Sequence, residues 1–247
     1  KWEYPNYQKS YMVIADVARG DSADFSACHV IDIESSTQVA EYKGKLDTKD
    51  FGNFLVSLST DYNQALLVIE NANIGWAVIQ QVIDRGYGNL FYMSKDLKYV
   101  DVENQLHNKY RAEERNMVAG FSTTSKTRPL IISKMEQYIR EKDVTIRSTR
   151  TIDELFTFIW NGNRAEAMRG YNDDLVMSLS IGLWVRDTAL RLRQEGIDLT
   201  RQAIGGIGQS TLDMGGMGFG GNTINDSNPW EMDMGNGHRE DLTWLIK

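Results

Sequence analysis

Three acidic stretches carry the chemistry in this sequence. Tyr11-Met12-Val13-Ile14-Ala15-Asp16 is an apolar, β-branched run that ends in a carboxylate and breaks at Gly20. Leu66-Leu67-Val68-Ile69-Glu70 is a second such run, and Gly170-Tyr171-Asn172-Asp173-Asp174 sets two acids at the start of an apolar helical pattern. An isolated charge is costly to remove from water, so an acid closing a buried strand must be paired, hydrogen-bonded, exposed at an edge or bound to a metal. If the three stretches converge, their oxygens form a cage for hard divalent cations. Each acid alone has an ordinary role: Asp16 pairing with an arginine, Glu70 ending a strand in water, Asp173 capping a helix. Their joint occurrence favours a metal site, with Asp24, at the start of the next strand, as a fourth candidate.

The elements that must position these acids follow from periodicity. Tyr11 to Asp16, the alternating Asp24 to Asp32, and Gln38 to Lys45 predict an antiparallel meander. Asp47 or Thr48 caps a helix through Asp61, with Phe51, Phe54, Leu55 and Leu58 on its core face. Ala65 to Glu70 is then a strand after a crossover helix, parallel to the first, which puts Asp16 and Glu70 at C-terminal strand ends where ligands bind. A helix from Trp76 to Arg85 stops at Gly86, and Leu90 to Met93 is a short strand. Ser94 to Ser125 reads as an insertion or loop over the sheet. A helix opens at Lys126-Thr127-Arg128-Pro129 and runs through Lys142, burying Ile131, Ile132, Met135, Tyr138 and Ile139. Val144 to Arg147 reads as a short strand, Thr151 to Glu154 as a capped helix start, and Phe156 to Trp160 as a strand or helix end. Asn172 or Asp173 caps a long helix to about Glu195, in which Ser178, Ser180 and Gly182 suit close packing on a sheet.

The 247 residues, 41% hydrophobic and 25% charged, suit one globular domain with peripheral additions: an entry segment 1–10, a domain 11–200 and a flexible, Gly-rich, acidic tail 201–247. The chain starts at Lys1 without methionine, which suits a domain excised from a longer protein. No apolar run approaches the ~20 residues of a spanning helix, so no membrane partner is expected. Cys28 is the only cysteine, which excludes an internal disulfide and a cysteine zinc site and fits a reducing compartment. Cys28 and His29 read as packing residues. The net charge of -7 hides contrast: from Lys109 to Arg150 ten Lys/Arg stand against five Asp/Glu, and from Asp198 to Lys247 three stand against seven. The glycine clusters of the tail lack the strand, helix and Lys-Ser/Thr ending of phosphate loops.

The run Ile14-Ala15-Asp16-Val17-Ala18-Arg19-Gly20-Asp21-Ser22-Ala23-Asp24-Phe25-Ser26, then Val68-Ile69-Glu70-Asn71-Ala72-Asn73-Ile74-Gly75, then Gly170-Tyr171-Asn172-Asp173-Asp174-Leu175-Val176-Met177-Ser178-Leu179 resembles the nuclease domain of a tailed-bacteriophage large terminase of the T-even type. The likeness spans roughly Tyr11 to Trp184. It implies an α/β, ribonuclease H-like fold, a mixed β-sheet flanked by helices. It also implies a metal-dependent endonuclease that cuts concematemeric, double-stranded viral DNA during packaging, in the host cytoplasm. Family proteins carry an N-terminal ATPase and work with the portal and a small terminase subunit. No Walker A sequence is present in this chain, so ATP hydrolysis is not expected of it.

Such chemistry explains the acids. Hydrolysis of a phosphodiester needs a water of lowered pKa and relief of charge on the leaving oxygen, which two Mg²⁺ ions (or Mn²⁺) ~3.5 to 4 Å apart can supply. Asp16 is expected to bridge the ions, Glu70 to bind one, and a late acid the other. Asp173 and Asp174 both stand as candidates; one residue of helix turns a side chain by ~100°, and Asp174, directly before Leu-Val-Met, is favoured with Asp173 as cap or support. Lys109, Arg111, Arg115, Lys126 and Arg128 are candidates for DNA phosphates, since cutting without sequence preference needs backbone contacts. A Holliday-junction resolvase shares the acidic pattern, and a DNA-gripping, portal-docking module with a structural metal is the non-enzymatic alternative.

Overall fold

The computed structural model describes residues 1–18, 25–94, 117–162, 164–187, 190, 231–233 and 239–241. Strands β1 (Tyr11–Asp16), β2 (Ser26–Asp32) and β3 (Thr37–Gly44) form the expected antiparallel meander, and β4 (Leu66–Ile69) joins β1 in parallel. The sheet order is β3-β2-β1-β4. Helix α1 (Thr48–Asp61) makes the crossover, and its cap is Asp47, whose Oδ1 accepts the Asp50 N–H at 2.8 Å. Beyond β4 the sheet continues through single parallel bridges, Leu67 to Leu90 and Glu70 to Phe121. β5 (Tyr92–Ser94) and β6 (Met117–Ala119) pair antiparallel beside them. β6 falls where the sequence reads as loop, since three residues are too few to show a period.

Among the described residues four further helices cover the sheet: α2 (Gly75–Asp84), α3 (Thr127–Glu141), α4 (Thr149–Thr157) and α5, residues 174–187. Between α4 and α5 lies the hairpin of β7 (Phe158–Asn161) and β8 (Arg164–Ala167). The stripe of α3 is buried as expected except Ile139, which is 41% exposed. Residues 144–147 do not form a strand. Thr145 makes one bridge to Thr37, and the Arg147 N–H goes to the Gln38 side chain instead of a ladder. The cap of α4 is Ser148, not Thr151, with Ser148 Oγ accepting the Thr151 N–H at 3.1 Å.

Two cores sandwich the sheet, and strand alternation decides which residue enters which. Tyr11, Val13 and Ala15 of β1, with Leu67 and Ile69 of β4, pack on Phe51 and Leu55 of α1 and Val78 and Val82 of α2. Met12 and Ile14, with Val68, pack on Ile131 and Met135 of α3 and Leu179 and Leu183 of α5. Each such fully buried side chain stabilises by about 1.5–3 kcal/mol. Gly182 lets α5 lie close: a Cβ there would fall 2.9 Å from the Ile14 side chain. Residues Leu199–Lys247 form a separate compact unit, in which β9 (Glu231–Asp233) pairs antiparallel with β10 (Arg239–Asp241). Most of the expected tail lies outside the described residues. Among the described residues no helix is long and apolar enough to cross a membrane.

Candidate metal centre

Ala15 pairs with Ile69 in the parallel register, so the next residues along, Asp16 and Glu70, end neighbouring strands side by side. The Glu70 N–H donates to the Ala15 carbonyl at 2.9 Å, which fixes that step. By alternation both acids fall on the face of Ile14 and Val68, toward α5. Their carboxyl groups lie within hydrogen-bonding reach of each other. Burial pushes the Asp16 carboxyl well above its ordinary pKa, helped by the charge of Glu70, by its hydrogen bond, and then by the charges of Asp174 and Asp173. Two adjacent carboxylates with two more in their field are mutually repulsive unless a proton or a cation lies between them. The donors are carboxylate oxygens, the set that hard divalent ions prefer, so these residues fit such an ion.

The two late acids pair with different cations. The Asp173 carbonyl accepts the Met177 N–H at 2.8 Å, which makes Asp173 the N-cap position of α5. Its side chain does not cap; it accepts from Arg128 Nη2 at 2.7 Å. Asp174 Oδ2 lies 3.4 Å from Lys43 Nζ and accepts from Asn172 Nδ2 at 3.2 Å. Burial raises the Asp174 pKa, opposed by that amide and by Lys43. The structure brings Asp16 and Glu70 together, while Asp173 and Asp174 act on Asp16 by charge. Among the described residues no three His, Cys, Asp or Glu side chains close into a metal-holding group.

Lys43 and Glu154 belong to the site and were not anticipated. Asp16 pairs with Ala27 and Ala27 with Lys43, so one row across the sheet reads Glu70, Asp16, Ala27, Lys43 on a single face. Lys43 also forms an ion pair with Glu154 Oε1. Glu154 Oε2 accepts the N–H of Leu175 at 2.8 Å and of Val176 at 3.3 Å, the second and third residues of α5. A carboxylate of α4 thus does the capping that Asp173 leaves undone. Burial nonetheless raises the Glu154 pKa, opposed by Lys43. The sequence signal was present in Thr151-Ile152-Asp153-Glu154, which reads as a capping box for its own helix.

His29 anchors the same helix start from below. Its Nε2 lies 2.9 Å from the Leu175 carbonyl, which can only accept, so Nε2 carries the proton. Gln38 Oε1 accepts the N–H groups of Arg147 and Ser148, which turns Gln38 Nε2 toward His29 Nδ1 at 2.8 Å. The Gln38 amide on Nδ1 suits the neutral ring, and burial lowers its pKa against the opposing pull of the Leu175 carbonyl. Cys28, fully buried, has its thiol pushed up to about 12 by burial and serves packing. The expectation for His29 was packing alone; it is a hydrogen-bonded support.

Glu70 is held by tight backbone approaches. A Cβ at Gly75 would lie 1.9 Å from the Glu70 carbonyl oxygen, and one at Gly120 would lie 2.4 Å from the Ile69 carbonyl oxygen. Asn71 donates from Nδ2 to the Ala119 carbonyl at 3.0 Å and accepts from Ser122 Oγ at 2.9 Å. Of the basic candidates, Lys126 is exposed at the start of α3, and Arg128 is engaged by Asp173 and by the Ala165 carbonyl at 3.1 Å. Asp24, Lys109, Arg111 and Arg115 lie outside the described residues.

No protein-family model matches the chain. Among solved structures it is similar to the large terminase nuclease from thermophilic phage G20c with bound cobalt, at 19% identity and a TM-score of 0.55, over 73% of this chain and 84% of that one. The magnesium-bound form of that nuclease gives 22% identity and a TM-score of 0.53 over the same shares. A third structure of it gives 20% and 0.52 over 72% and 83%. At such identities the likeness speaks for architecture: this chain has the ribonuclease H-like fold of a terminase nuclease domain, a mixed sheet flanked by helices.

Proposed function

We propose that this chain is a metal-dependent DNA endonuclease that cuts concatemeric viral DNA during genome packaging. The observation that carries the reading is the placement of Asp16 and Glu70 side by side at the C-terminal ends of parallel strands, facing the acidic start of α5. The fold supports it, since similar structures are terminase nucleases, solved with cobalt or magnesium bound.

Asp16, Glu70 and Asp174 would hold Mg²⁺ or Mn²⁺, in two sites, with Asp24 as a further ligand. Bound there, divalent ions lower the pKa of the attacking water and neutralise charge on the leaving oxygen. Asp16, flanked by Glu70 and the α5 acids, would serve both sites and Glu70 one of them. Asp174, beside Lys43 and Asn172, would serve the other. Asp173 stays with Arg128 and orients the helix start, while Glu154, Lys43 and His29 keep that start in place. Lys109, Arg111, Arg115 and Lys126 neutralise phosphates of double-stranded DNA. The domain spans residues 11–200, between an entry segment 1–10 and a Gly-rich acidic tail 201–247. It works with a terminase ATPase domain, a portal and a small terminase subunit in the host cytoplasm. Incubation with supercoiled plasmid tests the reading: nicking or linearisation in Mg²⁺, stopped by EDTA, supports it, and equal cutting in EDTA overturns it.

A further inference from the structure

A cavity of about 320 Å³ lies between the first turn of α3, the segment leading into it and the β7–β8 hairpin, within the size range of small-molecule sites. One wall is the indole of Trp160, which is 55% exposed on the hairpin, and the other is the hydroxyl-bearing pair Thr123 and Thr124. The Thr123 Oγ1 atom is buried with no hydrogen-bond partner. Two guanidinium groups line the space. Arg128 is occupied by Asp173 and the Ala165 carbonyl, whereas Arg164 reaches into solvent with Glu166 Oε2 at 3.4 Å. The cavity adjoins the acids through both walls. Arg128 spans from it to Asp173, and the Thr123 wall continues from Phe121, bridged to Glu70, and from Ser122, bonded to Asn71.

An exposed indole and a solvent-facing guanidinium beside a space of this size match two parts of a nucleotide: a flat base and a phosphate. We infer that the cavity receives one unpaired nucleotide of the DNA strand beside the cleaved phosphate, its base on Trp160 and its phosphate on Arg164. The inference rests on the nuclease reading. The nucleotide must be unpaired, because a base can stack on the indole only after leaving its own duplex stack. Stacking of this kind tolerates any base.

The test is fluorescence-anisotropy binding, in EDTA so that nothing is cut, of a blunt duplex and of the same duplex with a single-stranded overhang. The chain is expected to bind the overhang more tightly. Trp160→Ala should weaken overhang binding by about 5- to 150-fold, the range that loss of one stacked base gives, and leave the blunt duplex unchanged. Trp160→Phe should restore most of the preference, and Arg164→Glu, on a solvent-facing side chain, should weaken the overhang in its turn. Equal binding of the two probes, or overhang binding indifferent to both Trp160→Ala and Arg164→Glu, overturns the inference and leaves the nuclease reading standing. No binding of either probe, by a folded chain, overturns both.

Discussion

Glu154 Oε2 accepts the backbone N–H of Leu175 at 2.8 Å, so the helix that carries Asp174 is capped from another helix. Removing that carboxylate leaves two buried N–H groups unsatisfied and Lys43 without its nearest anion. Glu154→Ala should destabilise the fold by about 2–4 kcal/mol, and Glu154→Gln, which keeps an acceptor, by about 1–2 kcal/mol. Urea denaturation measures both. An alanine variant within about 0.5 kcal/mol of wild type would remove the capping role.

Asp173 and Asp174 should separate by experiment. Asp174→Asn is expected to abolish metal-dependent cutting, because its carboxylate, held by Lys43 and Asn172, is the one assigned to the ion. Asp173→Asn loses a partly exposed pair with Arg128, costing about 0.5–1.5 kcal/mol, and keeps most of its cutting rate. The reverse ranking of the two variants would exchange their roles.

Gly75 sets the position of Glu70 through the backbone, away from its carboxylate. An added Cβ meets the Glu70 carbonyl oxygen, so Gly75→Ala must displace that backbone. A displacement of about 1 Å at a reacting centre can cost about 10²-fold in rate. Gly75→Ala should show a loss of that order in single-turnover cutting while still binding DNA. An unchanged cutting rate would show that Glu70 tolerates displacement.

His29 makes stability depend on pH. Burial holds its pKa below the ordinary value, so the unfolded chain takes up a proton that the folded chain refuses. This contribution to stability is complete above about pH 6.5 and falls as pH drops from there toward the folded pKa, by up to about 1.4 kcal/mol per pH unit. Urea midpoints of wild type and His29→Gln at pH 7.5 and 5.5 check it. The wild type should lose more stability over that interval than the variant, and parallel losses would contradict the assignment.

Much of this arrangement was legible in the chain. The acids at the ends of two apolar runs, the crossover helix between them and the acids before Leu175 gave the meander, the parallel strand and the placement of Asp16 beside Glu70. Lys43 was not legible because its membership depends on register: only once β1, β2 and β3 are aligned does it fall in the row of Asp16. Glu154 and Thr151 form a buried polar face on α4, which no apolar period reveals. Residues 144–147 looked like a strand because they alternate. Gln38 takes the Arg147 N–H that a strand would have used.

The most direct measurement compares wild type with Asp16→Ala, both shown to be folded by circular dichroism, on supercoiled plasmid in Mg²⁺. The account predicts loss of the supercoiled form with wild type and no cutting above background with Asp16→Ala. An Asp16→Ala variant that cuts at the wild-type rate, or intact plasmid with the folded wild-type chain, would contradict it.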